Sequence, residues 1–110
     1  MNDLVKIVVY VPENNADSIR QAIGDAGAGV VGDYTFCSYS IKGIGRYIPG
    51  QNANPYIGSS GKLESVDEER IEVQCEKSKA KKVIEAIKAA HPYEEVVIDV
   101  YQLLNLDYDQ

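Results

Sequence analysis

From Leu4 to Val11 the chain reads Leu-Val-Lys-Ile-Val-Val-Tyr-Val, an almost unbroken apolar and β-branched run that predicts a central strand covered on at least one face. Pro12 ends it. Residues Glu13 to Ser18 offer several helix N-caps, after which Ile19, Ala22, Ile23 and Ala26 recur at the spacing of one apolar helical stripe. Gly27 predicts the stop, because glycine takes the left-handed conformation at a helix end. A second strand is expected from about Asp33 to Lys42, through Tyr34, Phe36, Tyr39 and Ile41, with Ser38 and Ser40 on a wetter face.

Between Gly43 and Gly61 the pattern breaks. Five of the nine glycines and two of the four prolines fall there, and the aromatics Tyr47 and Tyr56 with Ile48 and Ile57 speak for an ordered, packed loop. From Lys62 to Glu76 strict alternation returns: Ile71, Val73 and Cys75 fall on one face, and Glu64, Glu68, Arg70, Glu72 and Gln74 on the other. This predicts a long strand, bulged near Asp67, that pairs with Asp33 to Lys42 as a wide hairpin. Ala80, Val83, Ile84, Ile87 and Ala90 then trace a second helical stripe opposed by Lys81, Lys82, Glu85 and Lys88. Val96 to Leu103 supplies the last strand.

The order β-α-β-β-α-β predicts an α+β, ferredoxin-like domain, a four-stranded antiparallel sheet with both helices on one face. A single domain with its core at about 4–103 and an acidic tail at 104–110 is expected from 110 residues. Val8, Tyr10, Tyr34, Val97 and Tyr101 would make the uncovered sheet face too apolar for water, which predicts burial against other subunits.

Composition and charge remove some function classes. A net charge of -6 argues against sequence-independent nucleic-acid binding, although Lys77, Lys79, Lys81 and Lys82 make a local basic patch. No apolar run reaches membrane-spanning length and no secretory leader is visible, so a cytoplasmic, non-membrane protein is expected. Two cysteines, Cys37 and Cys75, are expected to be reduced and buried, and are too few for a metal site of their own.

Candidate chemistry centres on His91-Pro92-Tyr93-Glu94-Glu95. The only histidine stands before a proline that cannot continue a helix, with its ring expected to face outward beside two carboxylates. The plain alternative is a helix stop, with His91 at the negative end of the helix dipole and Tyr93 packed. His91 with Glu94 or Glu95 supplies a nitrogen and an oxygen ligand to a divalent metal ion, but two ligands do not close a site. Gly43-Ile44-Gly45-Arg46 is half of a dinucleotide fingerprint and opens no helix, while Gly58 to Lys62 runs into a strand and is no P-loop. Glycine amides with Arg46 or Lys62 alongside suit an anion; glycines needed for turns are the simpler reading.

Tyr34, Cys37, Gly43-x-Gly45, Pro49, Pro55-x-Ile57-Gly58, Gly61, the run Glu64-x-Val66-x-Glu68-x-Arg70-Ile71-Glu72, and His91 to Glu95 with Asp99 and Tyr101 resemble the insert domain of the NIF-three-like dinuclear-metal-centre proteins, over about Leu4 to Leu103. The resemblance implies a stand-alone PII/CutA-like domain assembled as a trimer with inward-facing sheets. The family's dinuclear-metal ligands lie in halves that flank the insert, and none of them is carried over. The chain departs from the family pattern at Val96, Ile98 and Gln102, all on the last strand.

The expected function is therefore a non-catalytic, trimeric binding or regulatory module that takes a small ligand or a divalent ion between subunits. His91, Tyr93, Glu94, Glu95, Gly43, Gly45, Arg46 and Arg70 are the candidate binding residues, and His91 and Glu94 the candidate metal ligands. A metal-assisted hydrolase with Glu94 or Glu95 as base, and a purely structural assembly domain whose turn is a subunit latch, are the alternatives.

Overall fold

A computed structural model describes residues 3–104 and residue 106. Strand β1 (Leu4–Pro12) leads through a 3₁₀ turn at Glu13–Asn15 into α1 (Ala16–Asp25); strands β2 (Tyr39–Tyr47) and β3 (Glu64–Glu76) follow. A second 3₁₀ turn, Lys77–Lys79, opens α2 (Ala80–Ala90), and β4 (Ile98–Gln102) ends the sheet. The sheet order is β2-β3-β1-β4, every neighbour antiparallel, which is the ferredoxin-like arrangement expected from the pattern.

Alternation in β1 decides the two faces. Val5, Ile7, Val9 and Val11 point to the helices and pack with Ile71, Val73 and Cys75 of β3, Ile19 and Ile23 of α1, and Val83 and Ile87 of α2. Burying each of these aliphatic side chains stabilises by about 1.5–3 kcal/mol, so this layer dominates the fold. Helix α1 ends as Gly27 predicts: its φ is 97°, and Gly27 N–H donates to Gly24 O while Ala28 N–H donates to Ile23 O, the paired bonds of a Schellman cap. Neither helix has a side-chain N-cap bond, and both are entered through a 3₁₀ turn.

Several expectations are corrected. Strand β2 lies about six residues further along than the pattern suggests. Residues 29–38 instead form an irregular arm, with a tight turn closed by reciprocal bonds between Val31 and Tyr34 at 2.9 Å and with Phe36 at φ 57°, its ring on Gly24 of α1. Tyr34 is therefore not a sheet residue. Gly43 and Gly45 belong to β2 rather than to the loop, which runs over residues 48–63. Strand β3 pairs continuously through Asp67, so there is no bulge, and β4 is shorter at both ends than Val96 to Leu103. Of the expected acidic tail, residues 105 and 107–110 lie outside the described residues.

The uncovered face of the sheet is mixed rather than apolar. Strand register places Lys6, Val8 and Tyr10 of β1, Arg70, Glu72 and Gln74 of β3, Tyr39 and Ile41 of β2, and Asp99 and Tyr101 of β4 on it. Val8 is fully buried on this face, yet Tyr39, Ile41 and Tyr101 remain exposed.

Since β1 stops pairing at Pro12 opposite Glu68, the ends of β2 and β3 continue as a two-stranded arm. The molecule measures 50 × 23 × 22 Å with a radius of gyration of 15.4 Å, against about 13 Å for a compact domain of this length. No helix among the described residues is long and apolar enough to cross a membrane.

Candidate functional site

Pro92 prevents α2 from continuing, so His91 becomes its C-cap with extended backbone (φ -81°, ψ 138°) while its N–H still donates to Ile87 O at 2.9 Å. This turns the ring inward, not outward, and leaves it 8% exposed. Nε2 lies 2.7 Å from the Tyr10 carbonyl oxygen, and Nδ1 accepts the Tyr93 N–H at 3.1 Å. A carbonyl only accepts and an amide only donates, which assigns the proton to Nε2. Burial lowers the imidazole pKa below its ordinary 6.5, outweighing the opposing pull of the Tyr10 carbonyl and the Glu68 carboxylate. His91 is thus a neutral, doubly hydrogen-bonded brace, and neither ring nitrogen is left free for a metal ion.

Tyr93 extends the brace to β3. Its hydroxyl donates to Glu68 Oε2 at 2.6 Å, and Glu68 is itself only 8% exposed. Burial first, and then the accepting Glu68, push the Tyr93 hydroxyl pKa far up, so it stays a proton donor. Glu68 fits because position 45 is glycine: a Cβ on Gly45 would collide with its carboxylate. The ring of Tyr93 meets those of His91 at 4.9 Å, Tyr47 at 6.2 Å in an edge-to-face contact, and Tyr56 at 6.4 Å.

The 48–63 loop closes onto this cluster. Gly61 N–H donates to Pro49 O at 2.9 Å across its neck, and the Tyr47 hydroxyl donates to Ile57 O at 2.6 Å. Burial, with Glu64 and Glu68 nearby, raises the Tyr47 pKa. Glu94 holds the loop from the other side, both carboxylate oxygens accepting from Asn54 N–H at 3.0 and 3.3 Å.

Of the sequence-derived residues, His91, Tyr93, Glu94 and Gly45 come together in this clamp. Glu95 is exposed beside it and Gly43 faces open space. Arg70 lies on the same sheet face, its guanidinium 5.9 Å from the centre of the Tyr10 ring and its Nε 2.9 Å from Glu72 Oε2, close enough for an ion pair but not aligned as a hydrogen bond. Lys6 approaches the same Glu72 at 3.4 Å. Arg46 points to the opposite face from Arg70 and is exposed. Among the described residues no three His, Cys, Asp or Glu side chains converge as a metal-binding group.

Sequence reasoning missed Glu68, Asn54, Tyr10 and Tyr47 as members of the clamp. A signal for Glu68 existed, since alternation places it on the polar face with Glu72, but an acidic run reads as solvated edge.

No protein-family model matches the chain. It is 43% identical over 102 residues to the GTP cyclohydrolase 1 type 2 homolog of Halalkalibacterium halodurans, covering 93% of this chain and 27% of that protein. With the Bacillus subtilis protein of the same name it is 47% identical over 98 residues, covering 89% and 26%. The chain thus spans about a quarter of the length of the relatives it matches. Among solved structures, a Bacillus cereus protein related to NIF3 superposes with a TM-score of 0.82 at 44% identity, over 94% of this chain and 26% of that one. The divalent ion tolerance protein CutA1 of Ehrlichia chaffeensis superposes with a TM-score of 0.69 at 14% identity over 97% and 87%, a likeness of fold.

Proposed function

Because the chain is a homologue of one segment of the NIF3-related proteins and carries the PII/CutA-like fold, we propose that it is a non-catalytic assembly and binding module. Three copies associate through the uncovered sheet face, and a small ligand or divalent ion is held between them. The observation that carries the reading is that both sheet edges, β2 and β4, are unpaired among the described residues and flank a face on which Tyr39, Ile41 and Tyr101 stay exposed. Open edges beside exposed aromatics are a surface that native domains cover.

The clamp gives this assembly a shaped rim. His91 and Tyr93 spend their polar atoms inside the chain, so their role is to position the turn, with Glu94 and Glu95 presenting carboxylate oxygens at its surface. A divalent ion would draw on those oxygens together with groups from a neighbouring copy. The free thiols Cys37 and Cys75 are in keeping with a cytoplasmic location. The activity in the relatives' name is not carried to this chain, which matches a quarter of their length.

Titration of the assembled protein with Mn²⁺, followed by paramagnetic broadening of backbone amides, tests the binding half. Broadening centred on Glu94 and Glu95 and lost in Glu94→Gln/Glu95→Gln supports it. No broadening near the turn at saturating ion removes the ion from the proposal.

A further inference from the structure

We propose that the cavity between the 29–38 arm and the sheet binds a small carboxylic acid with an aromatic or branched aliphatic body, its carboxylate taken by Lys6. The cavity lies within one chain, so the inference stands apart from the assembly and the ion proposed above. It exists because the arm leaves the sheet edge and returns to it. Gly29 N–H donates to Gln74 O of β3 at 2.8 Å and Cys37 N–H donates to Gly29 O at 2.9 Å, while regular pairing with β3 resumes at Tyr39, opposite Glu72. At that crossing position 29 has φ 77° and a Cβ there would collide with the Cys37 backbone, so glycine holds the arm in place. The space left measures about 220 Å³, walled by Lys6 and Glu72 of the uncovered sheet face and by Val31, Cys37, Ser38 and Tyr39.

The charges at its floor select the ligand. Glu72 is shared between two cations, with Arg70 Nε 2.9 Å from Oε2 and Lys6 Nζ 3.4 Å from Oε1. Asp99, the other carboxylate of this face, is on β4 and is not part of the cavity wall. Lys6 can therefore turn to a second carboxylate while Glu72 keeps Arg70, and two cations then face two anions. Those same two cations oppose a metal ion. A phosphate dianion lacks donors, since the Gly29 and Cys37 amides are already bonded to Gln74 and Gly29, and the net charge of -6 works against it. A monoanion fits both conditions. An apolar cavity of about 150 Å³ takes up a benzene, so about 220 Å³ holds one ring or a branched chain together with its carboxylate. Val31 is 48% and Tyr39 67% exposed, which keeps the mouth open to solvent and leaves apolar surface for the ligand to cover.

Titration of the wild type with phenylacetate, phenylacetamide and inorganic phosphate tests this, followed by backbone amide shifts and by the rate at which iodoacetamide alkylates Cys37. Cys37, half-buried rather than buried as the sequence suggests, reports on the cavity; Cys75 is buried in the core. Expected are saturating shifts at Gly29, Cys37, Ser38 and Tyr39 with phenylacetate at a Kd of about 1 mM or tighter, and alkylation slowed at least about threefold at saturation. Phenylacetamide, equal in shape but uncharged, should bind at least about tenfold more weakly, as should phenylacetate to Lys6→Gln. Val31→Trp, at an exposed position, should fill the cavity and abolish the shifts. Circular dichroism verifies that both variants fold; should Lys6→Gln unfold, acid against amide on the wild type decides. Equal affinity for acid and amide overturns the carboxylate assignment, as does phosphate acting on the same amides as tightly. No saturable shift up to about 20 mM phenylacetate overturns the site, whatever the mass of the assembly.

Discussion

Tyr93 ties three pieces of chain together through one side chain: the turn by its N–H to His91, β3 by its hydroxyl to Glu68, and the loop by its ring against Tyr56. Tyr93→Phe keeps the ring and deletes the donor, leaving a buried carboxylate without it. Loss of about 1–3 kcal/mol is expected, read as a lower urea midpoint at unchanged slope; an unchanged midpoint would show that Glu68 does not depend on that bond. Gly45→Ala should weaken the same cluster from the other side, because the added methyl meets the Glu68 carboxylate. His91 supplies a pH dependence. Its folded pKa lies below the unfolded 6.5, so the unfolded chain takes up the proton first and stability falls as pH drops through about 6.5 toward the folded value. A melting-temperature profile should show that fall in the wild type and lose it in His91→Gln. His91 itself was legible in the sequence as a helix stop held by Pro92. Its inward-facing ring was not, because the Tyr10 carbonyl it bonds is 81 residues away and no local pattern reports it.

At the scale of elements, β1, β3 and both helices follow from hydrophobic period alone, since each buries one face in a single core. Strand β2 does not. Tyr34 and Phe36 alternate like strand residues, yet Phe36 is held at positive φ with its ring on Gly24; Gly43 and Gly45 read as loop, yet they pair in β2, and Gly45 is glycine to make room for Glu68. Both signals were inverted by tertiary contacts. The Phe36 contact makes a test. Ala for Gly inside a helix ordinarily stabilises by about 1 kcal/mol, but Gly24→Ala should destabilise here because the methyl strikes the Phe36 ring. In a Phe36→Ala background the same substitution should become stabilising in thermal melts; a gain of equal size in both backgrounds would mean that the ring does not rest on Gly24.

For the whole molecule, elongation and open edges say the same thing in different quantities. A chain of this length with a 15.4 Å radius of gyration has left its β2–β3 arm, its mixed face and two strand edges without cover from its own helices. The self-association proposed above would cover all of them together. The most direct measurement is the mass of the wild-type chain by sedimentation equilibrium at micromolar concentration. The account predicts three times the 12.1 kDa chain mass, and a stable single-chain mass across that range would contradict it.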